Sequence, residues 1–241
     1  MLALSIILPT YNERLNIEVL VPLLDEMFRD IRHEVIVVDD SSTDGTGDAV
    51  LGMRARYPQL RLLTRPVKDG IGSALRAGYA RAEGRVIASC DADLSWAPRD
   101  LRRLFEAVEA GADLAVGCRH DPSVQYETPG LKVWCKYIAS RCGNGLLRRL
   151  FALPIRDFTG NCRALRRECW LSLGVRDRSN FFLVETVLLA HRKGFRVREI
   201  PVSFADRRHG ESKIDHWTEI PKAGFKLLWW RLRLGAAPKI V

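Results

Sequence analysis

Asp91 and Asp93 lie one residue apart at the end of a short apolar run, in the segment ASCDADLSWAP at 88–98. Like charges at this spacing repel each other, so either a cation lies between them or both face solvent in a turn. Carboxylates are hard oxygen ligands, and such a pair suits Mg²⁺ or Mn²⁺ held jointly with a diphosphate. A solvated turn is the alternative, because an Asp-x-Asp spacing is common. The two residues alone leave both interpretations open.

The elements that must position this pair alternate between two apolar patterns. Compact runs rich in branched residues predict buried strands at 2–8, 34–40, 60–65, 85–91 and 112–119. Helical spacing predicts helices between them at 16–28, 44–57, 71–84 and 97–111. Pro22 should kink the first helix or delay its start. This alternation predicts an α/β fold: a single Rossmann-like domain with a mostly parallel central sheet and helices on both faces.

Polar or charged residues follow every one of these strands except the third. They are the segment 9–13, Asp39 with Asp40, the segment 91–93, and the segment 118–120. Ligands of such sheets bind outside the carboxyl ends of the strands. We therefore expect the carboxylates to converge on one rim of the sheet.

Beyond residue 120 the alternation stops. The sequence predicts a basic amphipathic helix at 130–151, a helix at 181–194, a strand at 195–204 and a glycine-containing loop at 206–214. Glu185 lies near the start of its helix in the pattern FxxET, and both an ordinary exposed position and a role in a site are left open. We expect one domain over 1–214 and a separate tail over 215–241.

Composition limits the classes of function without choosing one. The chain has 241 residues and a net charge of +9, which is compatible with nucleic acid, phosphorylated small molecules or an anionic membrane as partner. A nucleic-acid partner is disfavoured, because the cations cluster at a carboxylate rim that would repel a phosphate backbone. The six cysteines show neither a CxxC pair nor zinc-like spacing, which indicates reduced thiols in a cytoplasmic protein.

No targeting or membrane-spanning segment is predicted. The apolar run at the N-terminus is too short for a signal peptide and lacks a basic region before it. No stretch approaches the ~20 apolar residues that cross a bilayer.

Five motifs in order resemble the family-2 glycosyltransferases of the GT-A fold, and among them the dolichol-phosphate mannose synthase-like, polyprenyl-phosphate glycosyltransferases. The motifs are SIILPTYNERLNI, VVDDSSTDGT, DADLSWAP, DFTGNCRALRR and FFLVETVLLAHRKGFRVREIPVSFADRRHGESKI. They span residues 5 to 214. The resemblance implies a GT-A fold and a glycosyltransferase that uses a nucleotide-sugar donor.

Carried over position by position, the resemblance implies a donor site. The residues that would line the nucleotide base and ribose are Pro9, Tyr11, Glu13, Val38 and Asp40. Asp91, Ala92 and Asp93 would hold the sugar diphosphate, with the two aspartates as ligands of Mg²⁺ or Mn²⁺. Arg207 and Lys213 would close over the donor phosphates.

The resemblance also implies an acceptor site and two departures from the family pattern. Arg119, Lys136 and Ser140 would receive the acceptor phosphate, and Asp91, Asp93 and Arg119 would be the catalytic residues. Ser95 stands where the family commonly has a metal-binding glutamine, and Trp96 follows where histidine is usual. Ser95 is kept among the donor-site residues, with water completing the coordination. Lys136 replaces an arginine, so it keeps the charge and loses bidentate phosphate recognition.

The implied reaction is an inverting, metal-dependent transfer of a hexose, with mannose from GDP-mannose as the expected donor, to a polyprenyl or dolichyl phosphate. A phosphate monoester has a second pKa of ~6, so the acceptor is largely dianionic at neutral pH and needs no strong general base. Two alternatives stay open. One is a family-2 transferase with a soluble or polysaccharide acceptor, and the other is an inactive GT-A domain that binds nucleotide sugar and scaffolds a membrane complex.

The C-terminal segment 221–234 suggests how a lipid acceptor is reached. Lys222, Lys226 and Arg233 follow helical spacing, and apolar residues that include Trp229 and Trp230 cover the remainder. Fourteen helical residues span roughly 20 Å, too short to cross a membrane but suited to its interface. Packing on the domain core is the alternative. We expect a protein that lies peripherally on the cytoplasmic face of a membrane, or one that depends on a membrane-protein partner.

Overall fold

The computed structural model describes residues 2–124 and 131–205, together with 226, 227, 230 and 231. The described residues form two compact units. One unit contains 2–124 and 157–205, and the other contains 131–156 with the four residues near the C-terminus. The predicted division at residue 214 falls outside the described residues and stays a prediction.

The first unit contains all the described strands, and the second contains a single long helix. In chain order the elements are β1 (Leu4–Thr10), α1 (Arg14–Met27), β2 (His33–Asp39), α2 (Thr46–Met53), β3 (Leu60–Thr64), α3 (Ile71–Arg81), β4 (Val86–Ser89), α4 (Pro98–Glu109), β5 (Leu114–Cys118), α5 (Leu131–Phe151), β6 (Arg163–Arg166), α6 (Arg167–Leu173), α7 (Phe181–Arg192) and β7 (Val197–Pro201). Helix α5 is the one that belongs to the second unit.

The strands form one sheet in the order β3-β2-β1-β4-β6-β5-β7. The pairs β1–β2, β1–β4, β2–β3 and β5–β7 are parallel, whereas β6 runs antiparallel to both β4 and β5. Strands β1, β2, β3, β4, β5 and β7 therefore all end at the same edge. The predicted α/β fold with a mostly parallel sheet is confirmed.

Helices cover both faces of the sheet, and this covering buries the strands on both sides. Leu4, Ile6 and Leu8 of β1 share a core with residues of α1 and α4. The intervening Ile7 points to the other face, where it meets α3 at Gly78. Burial of such side chains supplies about 25 cal/mol for each Å² of apolar surface removed from water.

Three local features differ from the sequence-based expectation. Helix α1 begins at Arg14 and runs through Pro22, so the later start is wrong. The Glu13 carbonyl accepts from the Ile17 N–H at 2.9 Å, which establishes the first turn well before the proline. Strand β6 and helix α6 were not predicted. The four residues RALR of β6 carry an arginine at each end, so the strand has no apolar run to mark it.

Arg163, the first residue of β6, is buried completely and anchors its surroundings through main-chain carbonyls. Its guanidinium donates to the carbonyls of Phe158, Gly160 and Leu183 at 2.6 to 3.3 Å. Burial lowers the pKa of Arg163 from its ordinary value, although the side chain remains a cation at neutral pH. In the described part of the chain, no helix combines the length and apolar character needed to cross a bilayer.

The close approach of α3 to the sheet generates a stability prediction. A Cβ at Gly78 would lie 2.9 Å from Val38 Cγ2 and still closer to Ile7 Cγ2. We expect Gly78→Ala to lower the free energy of unfolding by about 1–3 kcal/mol through overpacking. Urea unfolding measures the change.

Gly52 in α2 is the matched control, because a Cβ there meets nothing within 4 Å. Gly52→Ala should raise the free energy of unfolding by up to about 1 kcal/mol, as expected of alanine in a helix. A Gly78→Ala protein as stable as the Gly52→Ala protein would show that α3 does not pack on the sheet at this distance.

Candidate functional site

The carboxyl edge of the sheet brings the strand ends together as predicted. Thr10 at the end of β1 is the register partner of Asp39 at the end of β2. On the other side of β1, Ile7 is the partner of Ser89, the last residue of β4. The loops that carry Asp40 and Asp91 therefore leave the same edge on either side of β1.

The loops after β1 and β2 are tied to each other by hydrogen bonds. The Asn12 N–H donates to Ser42 Oγ at 2.8 Å, and the Thr43 N–H donates to Asn12 Oδ1 at 2.8 Å. The Glu13 N–H donates to Thr46 Oγ1 at 3.0 Å. Asn12 adopts φ 56°, a left-handed conformation that asparagine tolerates better than most residues. These contacts fix the shape of the rim beside α1.

The residues predicted to line the base and ribose lie in these two loops and strand ends. Pro9 and Val38 are register partners, and the Val38 side chain is fully buried. The Tyr11 ring lies 4.2 Å, centroid to Nζ, from Lys68. Glu13 accepts a hydrogen bond from Asn16 Nδ2 at 2.6 Å. The structure brings the four residues to one end of β1 and β2, and their role in nucleotide binding stays a prediction.

Asp40 forms an ion pair that crosses from β2 to the loop after β3. Its Oδ1 lies 2.7 Å from Arg65 Nη1, and both side chains are largely buried. Burial raises the pKa of Asp40, and the neighbouring Arg65 charge opposes that rise. Arg65 also donates to Ser73 Oγ at 2.8 Å, so the pair links the strand end to the start of α3.

The start of α3 is pressed against the segment that precedes α7. The Ser73 N–H donates to the Arg178 carbonyl at 3.0 Å, and a Cβ at Gly72 would come within 2.5 Å of the Ser179 carbonyl oxygen. Glu185 is buried and accepts hydrogen bonds from the main-chain N–H groups of Arg176 and Asp177. Of the two interpretations left open for Glu185, the exposed position is wrong, because its buried carboxylate holds this segment in place.

Asp91 is held by one N–H donor on each carboxylate oxygen. Asn161 Nδ2 donates to Oδ1 at 3.0 Å, and Trp96 Nε1 donates to Oδ2 at 2.9 Å. Asn161 is itself fixed, since its Oδ1 accepts from Ser89 Oγ at 2.9 Å. The sequence alone does not predict that Asn161 and the N–H of Trp96 contact Asp91.

Asp93 is held by the turn that follows it. Its Oδ1 accepts from the Ser95 N–H at 3.1 Å and from Ser95 Oγ at 2.6 Å. Leu94, between them, adopts φ 62°. Both Asp93 and Ser95 are buried, as is Ala92. The Ser95 hydroxyl, which stands at the position of the family's glutamine, thus orients the carboxylate of Asp93.

The two aspartates have electrostatics suited to a cation. Burial raises the pKa of Asp91, and the negative charge of Asp93 adds to the rise. The hydrogen bonds from Trp96 and Asn161 act in the opposite direction, because N–H donors favour the ionised carboxylate. Each carboxylate has about four lone-pair sites, so oxygen ligation remains compatible with these donors. Within 2–124 and 131–205, no group of three or more His, Cys, Asp and Glu side chains is arranged to hold a metal.

Arg119, at the end of β5, is bound in a bidentate pair with Asp157. Its Nε lies 2.7 Å from Asp157 Oδ2 and its Nη2 lies 2.9 Å from Oδ1. Burial alone would raise the pKa of Asp157, but the charge and hydrogen bonds of Arg119 hold that pKa well below its usual range. The Asp157 carboxylate is fully buried, and the Arg119 side chain is 13% exposed. Arg119 is predicted as a site residue from the sequence, and its partner Asp157 is not.

Two of the predicted acceptor residues lie in the second unit. Lys136 and Ser140 are four residues apart on α5, which places them one helical turn apart on the same face. Lys136 is exposed. Their action together with Arg119 stays a prediction. Arg207, Lys213 and nearly all of the predicted interfacial segment 221–234 lie outside the described residues.

Comparison with known proteins supports the family that the sequence motifs resemble. Residues 5–170 match the sequence model of the family described as Glycosyl transferase family 2. The polyprenol monophosphomannose synthase of Mycolicibacterium smegmatis is 35% identical over 95% of this chain and 86% of its own length. The undecaprenyl-phosphate mannosyltransferase of Micrococcus luteus is 36% identical over 86% of each chain.

One further relative in sequence and one solved structure are also similar to this chain. The dolichol-phosphate mannosyltransferase of Pyrococcus furiosus is 32% identical over 94% of this chain, which spans 64% of the length of that relative. A solved structure of glucosyl-3-phosphoglycerate synthase from Mycobacterium tuberculosis, in complex with Mn²⁺, UDP and glucosyl-3-phosphoglycerate, superposes with a TM-score of 0.71. It is 19% identical over 98% of this chain and 82% of its own, a likeness that concerns the fold.

The buried pair of Arg119 and Asp157 generates a prediction about acid stability. Because the pKa of Asp157 is lower in the folded chain than in the unfolded one, its charge stabilises the fold above about pH 4. That contribution is lost as pH falls from there toward the folded pKa. We expect Asp157→Asn to lower the free energy of unfolding at pH 7 by about 3 kcal/mol, since it removes the carboxylate charge that faces the largely buried guanidinium of Arg119. The difference from wild type should shrink below about pH 4.

Asp113→Asn is the control variant, because Asp113 also pairs with arginines but these arginines are more exposed. Asp113 pairs with Arg196 and Arg166, which are 63% and 41% exposed. Its replacement should cost less than about 1 kcal/mol. Urea midpoints measured from pH 3 to pH 7 compare the variants with wild type. Equal losses for the two variants, or a difference that does not change with pH, would contradict the assignment of Asp157.

Proposed function

Because the chain belongs to glycosyl transferase family 2, we propose that it transfers a hexose, mannose from GDP-mannose, to the phosphate of a polyprenyl phosphate. The observation that carries the proposal is the pair Asp91 and Asp93 at the carboxyl end of β4, each carboxylate oriented by its own donors. The acceptor class is supported by relatives named as polyprenol-, undecaprenyl- and dolichol-phosphate mannosyl-transferring enzymes.

Asp91 and Asp93 fit a divalent ion, since they offer ionisable oxygen ligands one residue apart. We propose that they hold Mg²⁺ or Mn²⁺ together with the donor diphosphate. When bound, the ion would stabilise the negative charge of the departing nucleoside diphosphate. Ser95 serves this site by orienting Asp93, and Ala92 supplies a small buried residue between the two carboxylates.

The donor nucleotide would occupy the rim beside α1. Pro9, Tyr11, Glu13, Val38 and Asp40 form its proposed lining. The hydrogen bonds between the loops after β1 and β2 fix this rim before any ligand arrives, which reduces the ordering cost of binding. Arg207 and Lys213 complete the proposal as cations that approach the donor phosphates.

The acceptor would be bound by cations and would supply the nucleophile itself. Arg119 remains charged at all relevant pH values, and Asp157 fixes the orientation of its guanidinium. With Lys136 and Ser140 it would bind the acceptor phosphate. A phosphate oxygen then attacks the anomeric carbon opposite the leaving diphosphate, which inverts the configuration. Because a phosphate monoester is mostly dianionic above its second pKa of ~6, no side chain must remove a proton.

The lipid acceptor places the reaction at a membrane surface, and we propose the cytoplasmic face. Helix α5 supports contact with such a surface, because it carries lysines and arginines and has neither aspartate nor glutamate. Cations near an anionic leaflet contribute about 1 kcal/mol each.

A transfer assay tests the proposed reaction. Wild-type protein is incubated with labelled GDP-mannose, a polyprenyl phosphate and Mn²⁺, and the label that partitions into organic solvent is counted. We expect lipid-linked label from wild type and a loss of about 100-fold or more for Asp93→Asn, which weakens the proposed metal site. Labelled UDP-glucose is assayed in the same way, as the alternative donor to GDP-mannose.

The outcome separates the alternatives. Label that is transferred but stays in the aqueous phase would indicate a soluble acceptor. Protein that binds GDP-mannose with Mn²⁺ and transfers nothing would indicate a binding domain. Equal activity of wild type and Asp93→Asn would remove the metal role of this residue.

The proposed acceptor role of Lys136 generates a separate prediction. Lys136→Ala should raise the KM for polyprenyl phosphate about tenfold, the loss expected for one charge-assisted hydrogen bond, and should leave the KM for GDP-mannose within twofold. Arg148→Ala is the control, because Arg148 is an exposed cation three turns farther along the same helix. A similar rise in the acceptor KM for both variants would indicate general attraction to the membrane.

A further inference from the structure

Trp96 contacts both halves of the proposed site. Its side chain is buried, with 3% exposed, directly after the turn that contains Asp93. The indole N–H donates to Asp91, on the donor side. The indole ring faces the guanidinium of Arg119, on the acceptor side. A buried tryptophan whose N–H and ring face serve two different charged groups calls for a functional explanation.

On the donor side, Trp96 supplies half of the hydrogen bonds that orient Asp91. The Nε1–Oδ2 distance of 2.9 Å matches the distance expected of a hydrogen bond to a carboxylate. The other oxygen of Asp91 accepts from Asn161 at 3.0 Å. Without the indole N–H, the carboxylate would be held at one oxygen only and could rotate about that contact.

On the acceptor side, Trp96 and Phe204 together form an aromatic support for Arg119. The guanidinium carbon of Arg119 lies 5.4 Å from the Trp96 ring centroid and 5.2 Å from the Phe204 centroid. The two rings pack edge to face at 4.8 Å. Cation–π contacts of this kind favour the charged group where little water competes.

The backbone holds the two rings together. Trp96 and Phe204 form an antiparallel bridge, and the Ala205 N–H donates to the Ser95 carbonyl at 3.1 Å. The indole therefore has a fixed position relative to β4 and to the segment after β7.

We propose that Trp96 is a positioning residue that orients the donor carboxylate Asp91 through its indole N–H and supports the acceptor guanidinium Arg119 through its ring. The inference rests on the proposed function. Its two contacts are chemically separable: phenylalanine keeps an aromatic face beside Arg119 and removes the N–H, whereas loss of the Phe204 ring weakens the support of Arg119 and leaves the N–H in place.

The test compares Trp96→Phe with Phe204→Leu in two binding measurements. Calorimetry gives the affinity for GDP in the presence of Mn²⁺, and a second titration gives the affinity for a short, water-soluble prenyl phosphate. For Trp96→Phe we expect about tenfold weaker binding of GDP with Mn²⁺ and prenyl phosphate binding within twofold of wild type. For Phe204→Leu we expect the reverse pattern. Trp96→Leu, which removes both contacts, should weaken both.

Several results would overturn the inference. One is a Trp96→Phe protein that binds GDP with Mn²⁺ as tightly as wild type, and another is a Trp96→Phe protein that loses both affinities equally. If Trp96→Phe does not fold, Phe204→Leu decides, because equal losses of the two affinities in that variant contradict separate contacts. Wild type that binds both probes but transfers no hexose would refute the proposed reaction and leave the binding comparison intact. Wild type that binds neither probe would overturn both.

Discussion

The site is governed by one electrostatic constraint: two neighbouring carboxylates must coexist where little water reaches them. Burial raises the pKa of Asp91, and the charge of Asp93 adds to the rise. Hydrogen bonds from Trp96 and Asn161 oppose that rise at Asp91, and Ser95 donates to Asp93. These donors fix the direction in which the carboxylates point, as the proposed metal site requires.

Strand β6 connects this constraint to the rest of the fold. It enters antiparallel between β4 and β5 and brings the segment 157–161 to the carboxyl edge of an otherwise parallel sheet. That segment supplies Asn161 to Asp91 and Asp157 to Arg119. The carboxylate of Asp91 and the guanidinium of Arg119 are thus oriented by residues four positions apart in one loop. A purely parallel sheet would have no such segment between β4 and β5.

The sequence predicts the scaffold better than the fine structure of the site. Apolar runs mark β1, β2, β4 and β5, and their polar ends mark the rim, because burial and alternation leave a direct trace in residue type. Strand β6 leaves none, since Arg163 is buried through contacts with main-chain carbonyls that no composition reveals. Asn161 and the N–H of Trp96 are missed for a similar reason: their partners lie 70 and 5 positions away in the chain. The sequence leaves the burial of Glu185 open, because its hydrogen-bond donors are main-chain N–H groups 8 and 9 positions earlier, which no residue type marks.

Arg163 also constrains the main-chain path of this loop. Its guanidinium donates to main-chain carbonyl oxygens, which every residue possesses. These hydrogen bonds therefore depend on the path of the backbone and not on the side chains at 158 and 183. Gly160 is more restricted, since a Cβ there would approach the Trp96 ring at 3.3 Å. A substitution in this loop that leaves its main chain in place therefore leaves the positions of Asp157 and Asn161 unchanged.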